Sequence, residues 1–200
     1  MKDEIEEGAA PRRRRRFDED ASPQRESSPR EVRRTSRGIL TSEMQQFVLE
    51  QRLGYHATVC PDGTPNLSPK GTTTVWDEDN LLFGDIRSPQ TVANLRANPA
   101  IEVNVVDVLS RKGWRFKGTA HIHAADEIFE RGTELLRTRG YDTSRVNAVV
   151  LIHVERALPL TSPVYDSGAT EDEVRRTTLH RLRLREGSIE RDRPLGDLPP

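Results

Sequence analysis

The chain contains a single cysteine, Cys60, in 200 residues. One thiol cannot close an intrachain disulfide, so no covalent framework holds the fold and nothing points to an oxidising compartment. Aromatic residues are scarce at 5%, and hydrophobic residues of all kinds make up 34%. No apolar run approaches the roughly 20 residues that a membrane-crossing helix needs. The formal net charge is -1, so no global field draws the chain toward nucleic acid. These absences predict a soluble, cytoplasmic protein without a membrane or nucleic-acid partner.

Apolar side chains are nearly missing from residues 1–37, "MKDEIEEGAAPRRRRRFDEDASPQRESSPREVRRTSR". Such a segment buries too little apolar surface to offset the entropy of ordering, and a charged, disordered tail is expected there. Its run Arg12 to Arg16 lies between "DEIEE" and "DED", which neutralise it locally and favour a solvated tail over a docking patch. The same arginines suggest a twin-arginine export signal, but no apolar segment follows them. The remaining ~160 residues are enough for one packed core.

From residue 38 the pattern changes. In "ILTSEMQQFVLEQ", Met44, Phe47 and Val48 share a helical face, with Ser42 as the expected N-cap. "YHATVC" (55–60) alternates, "PDGT" turns, "PNLSPKGTTTVW" (65–76) extends again, and "LLFGDI" (81–86) follows the turn "DEDN". Ser88-Pro89 reads as a helix start that Asn98-Pro99 ends. Two strands, 100–108 and 113–124, precede a helix capped by Asp126. A last strong strand covers 147–160, and Thr170 with Glu173 has capping-box spacing. Six strands joined mostly by tight turns imply a mainly β chain with short helices, its strands antiparallel in a closed or nearly closed barrel.

Two stretches ask for more than a fold. "NLSPKG" (66–71) and "GDIRSP" (84–89) each set Ser-Pro beside a cation, Lys70 and Arg87. Prolines, a glycine and a lysine suit an edge strand with a bulge. A helix N-terminus, however, presents unpaired N–H groups and favours an anion. Ser88, Gln90 and Thr91 place side-chain donors at that end, and Arg87 precedes it. A phosphate held there with Lys70 is chemically coherent.

On these residues the chain resembles the pyridoxamine 5'-phosphate oxidase-like, FMN-binding split-barrel proteins. The resemblance runs from about residue 40 to 175 and includes "RKGWRFKGTA" (111–120) and "PVYDSGATEDEV" (163–174), which look like a flavin-binding subgroup. It implies a six-stranded antiparallel split barrel over 38–165, a C-terminal helical arm and tail over 166–200, and a homodimer with FMN at the subunit interface. It further implies that Ser68, Lys70, Gly71 and Thr72 line the ribityl chain and ring edge. Arg87, Ser88, Gln90 and Thr91 would hold the phosphate, and Trp114 and Arg115 would reach the flavin from the partner subunit. The oxidase proper opens the helix after the third strand with an arginine-lysine pair, where this chain has Pro89-Gln90. Its C-terminal substrate signature has no match in "TTLHRLRLREG", so pyridoxamine phosphate oxidation is not the expected reaction. The expected activity is a flavin-dependent oxidation or reduction of an unidentified small molecule. A non-catalytic flavin carrier or sensor, or an F420-dependent reductase on the same barrel, are the alternatives.

Other candidates have plainer readings. His121 and His123 form H-x-H on one strand face, without an evident third ligand, so no metal site is expected. Cys60 ends a strand with nothing basic beside it and reads as structural.

Overall fold

The computed structural model describes residues 38–192; the charged tail expected over 1–37 lies outside them. Helix α1 (Ser42–Gln51) opens the described chain, followed by β1 (Gly54–Val59), β2 (Pro65–Lys70), β3 (Thr74–Val75) and β4 (Asn80–Asp85). Helix α2 (Pro89–Ala97), β5 (Ala100–Asp107), β6 (Lys112–His123), α3 (Glu127–Thr138) and β7 (Ala148–Thr161) come next. A 3₁₀ turn at Pro163–Ser167 leads into α4 (Glu171–Asp192).

All strands join one antiparallel sheet in the order β2-β1-β5-β6-β7-β4-β3. The fold is the expected mainly-β, antiparallel, curled barrel, with seven strands where the pattern suggested six. The difference lies in 65–76, which alternation reads as one strand. Pro69 has no N–H to donate, which suits β2 to the sheet edge, where it pairs with β1 alone. After Lys70 the chain turns through residues 71–73 and resumes as β3 at the opposite edge. Three residues therefore join the two edges, so the sheet must curl until they approach.

The barrel interior is filled by alternate residues of the long strands, including Val103, Val105, Phe116, Val150 and Val154, with Phe83 from β4. Met44 and Val48 of α1 complete it. The cap of α1 is Thr41, whose hydroxyl accepts from Met44 N–H at 3.3 Å, one residue before the expected Ser42. Helix α3 lies outside, burying Leu136 against Leu82 and Val149. Asp126 caps it as expected, accepting from Phe129 N–H at 2.9 Å. The capping box at Thr170 and Glu173 also forms, and α4 buries Val174. No helix among the described residues is long and apolar enough to cross a membrane.

The β6–β7 ladder contains a bulge at Lys117/Gly118, where Arg156 and Val154 take successive partners and Glu155 is left over. A Cβ at Gly118 would run into the carbonyl oxygen of His153, which neither strand can yield without losing its pairing. We expect Gly118→Ala to lower stability by about 1–3 kcal/mol or more. Urea unfolding reads this directly, and an unchanged midpoint would show that the bulge tolerates a side chain.

Candidate functional site

Where the two sheet edges meet, four of the residues singled out above converge. The Lys70 ammonium donates to Ser68 Oγ at 2.6 Å, to Ser88 Oγ at 2.6 Å and to Thr91 Oγ1 at 3.3 Å. Lys70 is only 5% exposed, and its Nζ lies 5.9 Å from the centre of the Phe83 ring. Burial pulls its pKa below the usual lysine range, and the nearby Asp85 carboxylate opposes that shift. Ser68 and Lys70 reach the same place because alternate residues of β2 face the same side. Ser88 and Thr91 arrive because β4 ends beside the turn at 71–73 and hands the chain to α2.

Ser88 occupies the N-cap position of α2, yet it makes no side-chain cap. Its hydroxyl accepts from Lys70 instead. The first-turn N–H groups of Gln90 and Thr91 are therefore left for another acceptor. Arg87 is exposed next to this helix end.

The remaining candidates are placed otherwise. Gly71 lies in the turn with open space where a side chain would be. The Thr72 hydroxyl donates to Gly84 C=O at 3.1 Å and accepts from Gly84 N–H at 3.0 Å, so it stitches the turn to β4. Gln90 donates along its own helix to Asn94 Oδ1 at 2.7 Å. Asn94, fully buried, donates to Thr58 Oγ1 and to Cys60 Sγ. Trp114 follows a ladder from Lys70 through Gly54 and Val105, three strand spacings or about 14 Å along the sheet. It packs against the core, whereas Arg115 holds Asn104 and Glu102. Alternation thus sends these two neighbours to opposite faces, and one chain alone does not bring either to Lys70.

Trp114 also borders a cleft of about 440 Å³ with Phe47, Lys112, Asp107, Glu171 and Arg175. Lys112 pairs with Glu171 at 2.9 Å and lies 4.6 Å from the Tyr165 ring centre. Arg175 bridges Asp107 at 2.5 Å and Glu171 at 2.9 Å, so the clasp fastens α4 to the β5–β6 end. His123 bonds Asp126 at 2.8 Å.

The sequence reading missed His56. It is fully buried, packed edge-on to Phe83, and 2.9 Å from Thr73 Oγ1. Thr73 donates its own proton to Lys70 C=O at 2.8 Å, so its oxygen must accept from His56 Nε2–H. That assigns the tautomer and leaves Nδ1 a buried acceptor without a partner among the described residues. A histidine at an inward position of β1 was the available signal.

A family model described as pyridoxamine 5'-phosphate oxidase matches residues 40–157. The chain belongs to that family. HupZ from Group A Streptococcus is 33% identical over 62% of this chain and 96% of its own, with a TM-score of 0.56. A Lactobacillus delbrueckii protein named after the pyridoxamine 5'-phosphate oxidases is 27% identical, over 64% of this chain and 98% of its own, at 0.52. An FMN-binding protein from Syntrophomonas wolfei shares the fold at 15% identity, covering 62% of this chain and 87% of its own, also at 0.52. No curated protein matches. In this family member the match ends before the Lys112–Glu171–Arg175 clasp is complete, since α4 lies beyond it.

Burial, and then the Lys70 charge, lower the His56 pKa from 6.5 to about 3. The unfolded chain binds a proton near pH 6.5 that the folded chain refuses until about pH 3. Stability from this group is therefore full above pH 6.5 and drains as pH falls through that window, by up to about 1.4 kcal/mol per unit. We expect wild type to lose more stability than His56→Gln between pH 7 and pH 4.5 in urea titrations. Equal losses would show that His56 titrates normally.

Proposed function

We propose that the chain is an FMN-binding flavoprotein of this family that works as a homodimer and oxidises or reduces a small molecule. The observation that carries the reading is the convergence of Lys70, Ser68, Ser88 and Thr91 on an uncapped helix end. Ser88 declines its capping bond while the ammonium sits beneath three hydroxyls. That donor set suits a phosphate, and Arg87 at the rim adds a cation where the oxidase proper has an arginine-lysine pair. FMN, when bound, supplies hydride or single-electron chemistry. This chain's residues would bind and orient it: the α2 N-terminus and the hydroxyl cluster would hold the phosphate, and the turn at 71–73 borders that cluster. The FMN-binding relative from Syntrophomonas wolfei supports the same cofactor.

The dimer has its own support. Tyr55, Val59 and Leu67 are exposed, and the cross-strand pairs Tyr55–Pro69, Ala57–Leu67 and Val59–Pro65 join them into one apolar face on β1 and β2. Contiguous apolar surface of this kind marks an interaction site. The resemblance implies that a second copy contributes its own Trp114 to the site.

Two outcomes test the reading. Losing a hydrogen bond to a charged group costs about 1.5–3 kcal/mol, roughly 10- to 150-fold in affinity. Arg87→Ala should therefore bind FMN at least about tenfold more weakly, leave riboflavin binding nearly unchanged, and contrast with a silent Arg96→Ala further along the helix. FMN titrations in which Arg87→Ala equals wild type would remove the phosphate from this end. Independently, Leu67→Glu should yield monomers in light scattering and weaken FMN; a dimer that persists would put the interface elsewhere.

A further inference from the structure

We infer that Lys70 is a positioning residue and not itself a phosphate ligand: its ammonium orders the hydroxyls of Ser68, Ser88 and Thr91 so that they, with the α2 N–H groups, donate to the oxyanion. The inference rests on the phosphate reading above and specifies how that site works.

An ammonium has three protons and no acceptor. Here all three have acceptors, at 2.6, 2.6 and 3.3 Å. Each hydroxyl carries one proton of its own. Having accepted from Lys70, it must turn that proton away from the ammonium. None of the three donates to an acceptor in the chain among the described residues. Three oriented O–H donors therefore remain, contributed by β2 and α2, and a tetrahedral oxyanion has the acceptors to match.

Direct ligation by Lys70 would break at least one of its bonds in a place that is 5% exposed. The backbone opposes that movement as well. His56 donates to Thr73, and Thr73 donates to Lys70 C=O, so the residue is held from its own carbonyl. Charged hydrogen bonds polarise their acceptors and make them better donors. The lysine thus acts on the ligand through its neighbours.

The test is a double-mutant cycle in FMN affinity, with riboflavin as the reference ligand. Lys70→Met and the pair Ser88→Ala with Thr91→Val should each weaken FMN about tenfold or more. Combined, they should be little weaker than the worse of the two, because each removes the same unit. Lys70→Arg should fail to restore affinity, since a planar guanidinium cannot donate to three hydroxyls around one nitrogen. Riboflavin should lose less affinity than FMN in every variant, and far-UV circular dichroism at the wild-type value shows that each variant is folded. If Lys70→Met does not fold, Lys70→Gln enters the cycle with the same expectation. Losses that multiply, or full affinity in Lys70→Arg, would overturn the relay and make Lys70 a direct charge partner. A wild type that binds no FMN overturns the flavin reading along with this one. FMN binding with multiplying losses overturns the relay alone.

Discussion

The constraint on which the site depends is the three-residue link between the edges of the sheet. Strands β2 and β3 are neighbours in sequence and lie at opposite ends of the strand order. Residues 71–73 cannot span an open seven-stranded sheet, so the sheet must curl. The seam needs its own fastening, because edge strands carry unpaired backbone groups. Thr72 supplies one part through both backbone groups of Gly84. Thr73 supplies another by joining His56 to Lys70 C=O. The run of threonines after Gly71, which reads as ordinary β-former composition, is the stitching of the barrel.

That seam also explains why a lysine is tolerated inside. A buried ammonium without partners is strongly unfavourable, and one with three acceptors and a nearby carboxylate is not. The hydroxyls come from β2 and α2, two elements that meet only because the edges meet. Asp85 adds opposing charge from the last position of β4. The residual burial penalty shows as a lowered pKa, and the same positive charge helps to keep His56 neutral. Lys70, His56 and the threonines form one coupled unit, so the candidate site and barrel closure draw on the same few side chains.

Much of this was legible in the sequence and some was not, for definite reasons. Period-two alternation located β5, β6 and β7 because one face of each is buried. Turn residues and the Asp126 cap located the elements between them, since those signals are local. The break after Lys70 was hidden because Gly71 and three threonines all fit a continuing strand; only pairing with opposite sheet edges distinguishes β2 from β3. Ser88 illustrates a second limit. Its place in Ser-Pro identifies a helix start correctly, but a long-range donor, Lys70, takes the oxygen that local rules assign to the cap. His56 went unread because nothing in "YHATV" says what lies opposite an inward position. Trp114 and Arg115 come from the family resemblance alone, and alternation along β6 places these two neighbours on opposite faces.

The two halves of the proposed flavin site are separated within one chain. The proposed phosphate end lies on β2 and α2, and the Trp114 cleft lies three strands away along the ladder. The barrel interior between them is filled by Val103, Val105 and Phe116, so a ligand cannot pass through. The outer face of β1 and β2 exposes Tyr55, Val59, Pro65, Leu67 and Pro69, which is largely apolar and offers a phosphate little to bind. The resemblance implies that a flavin resting on the Lys70 end meets the Trp114 of a second copy. The same exposed face, otherwise a solubility liability, would bring that copy into place if the proposed homodimer forms on it. In the proposed homodimer, the apolar stripe on β1 and β2 and the uncapped helix beside it are two parts of one requirement.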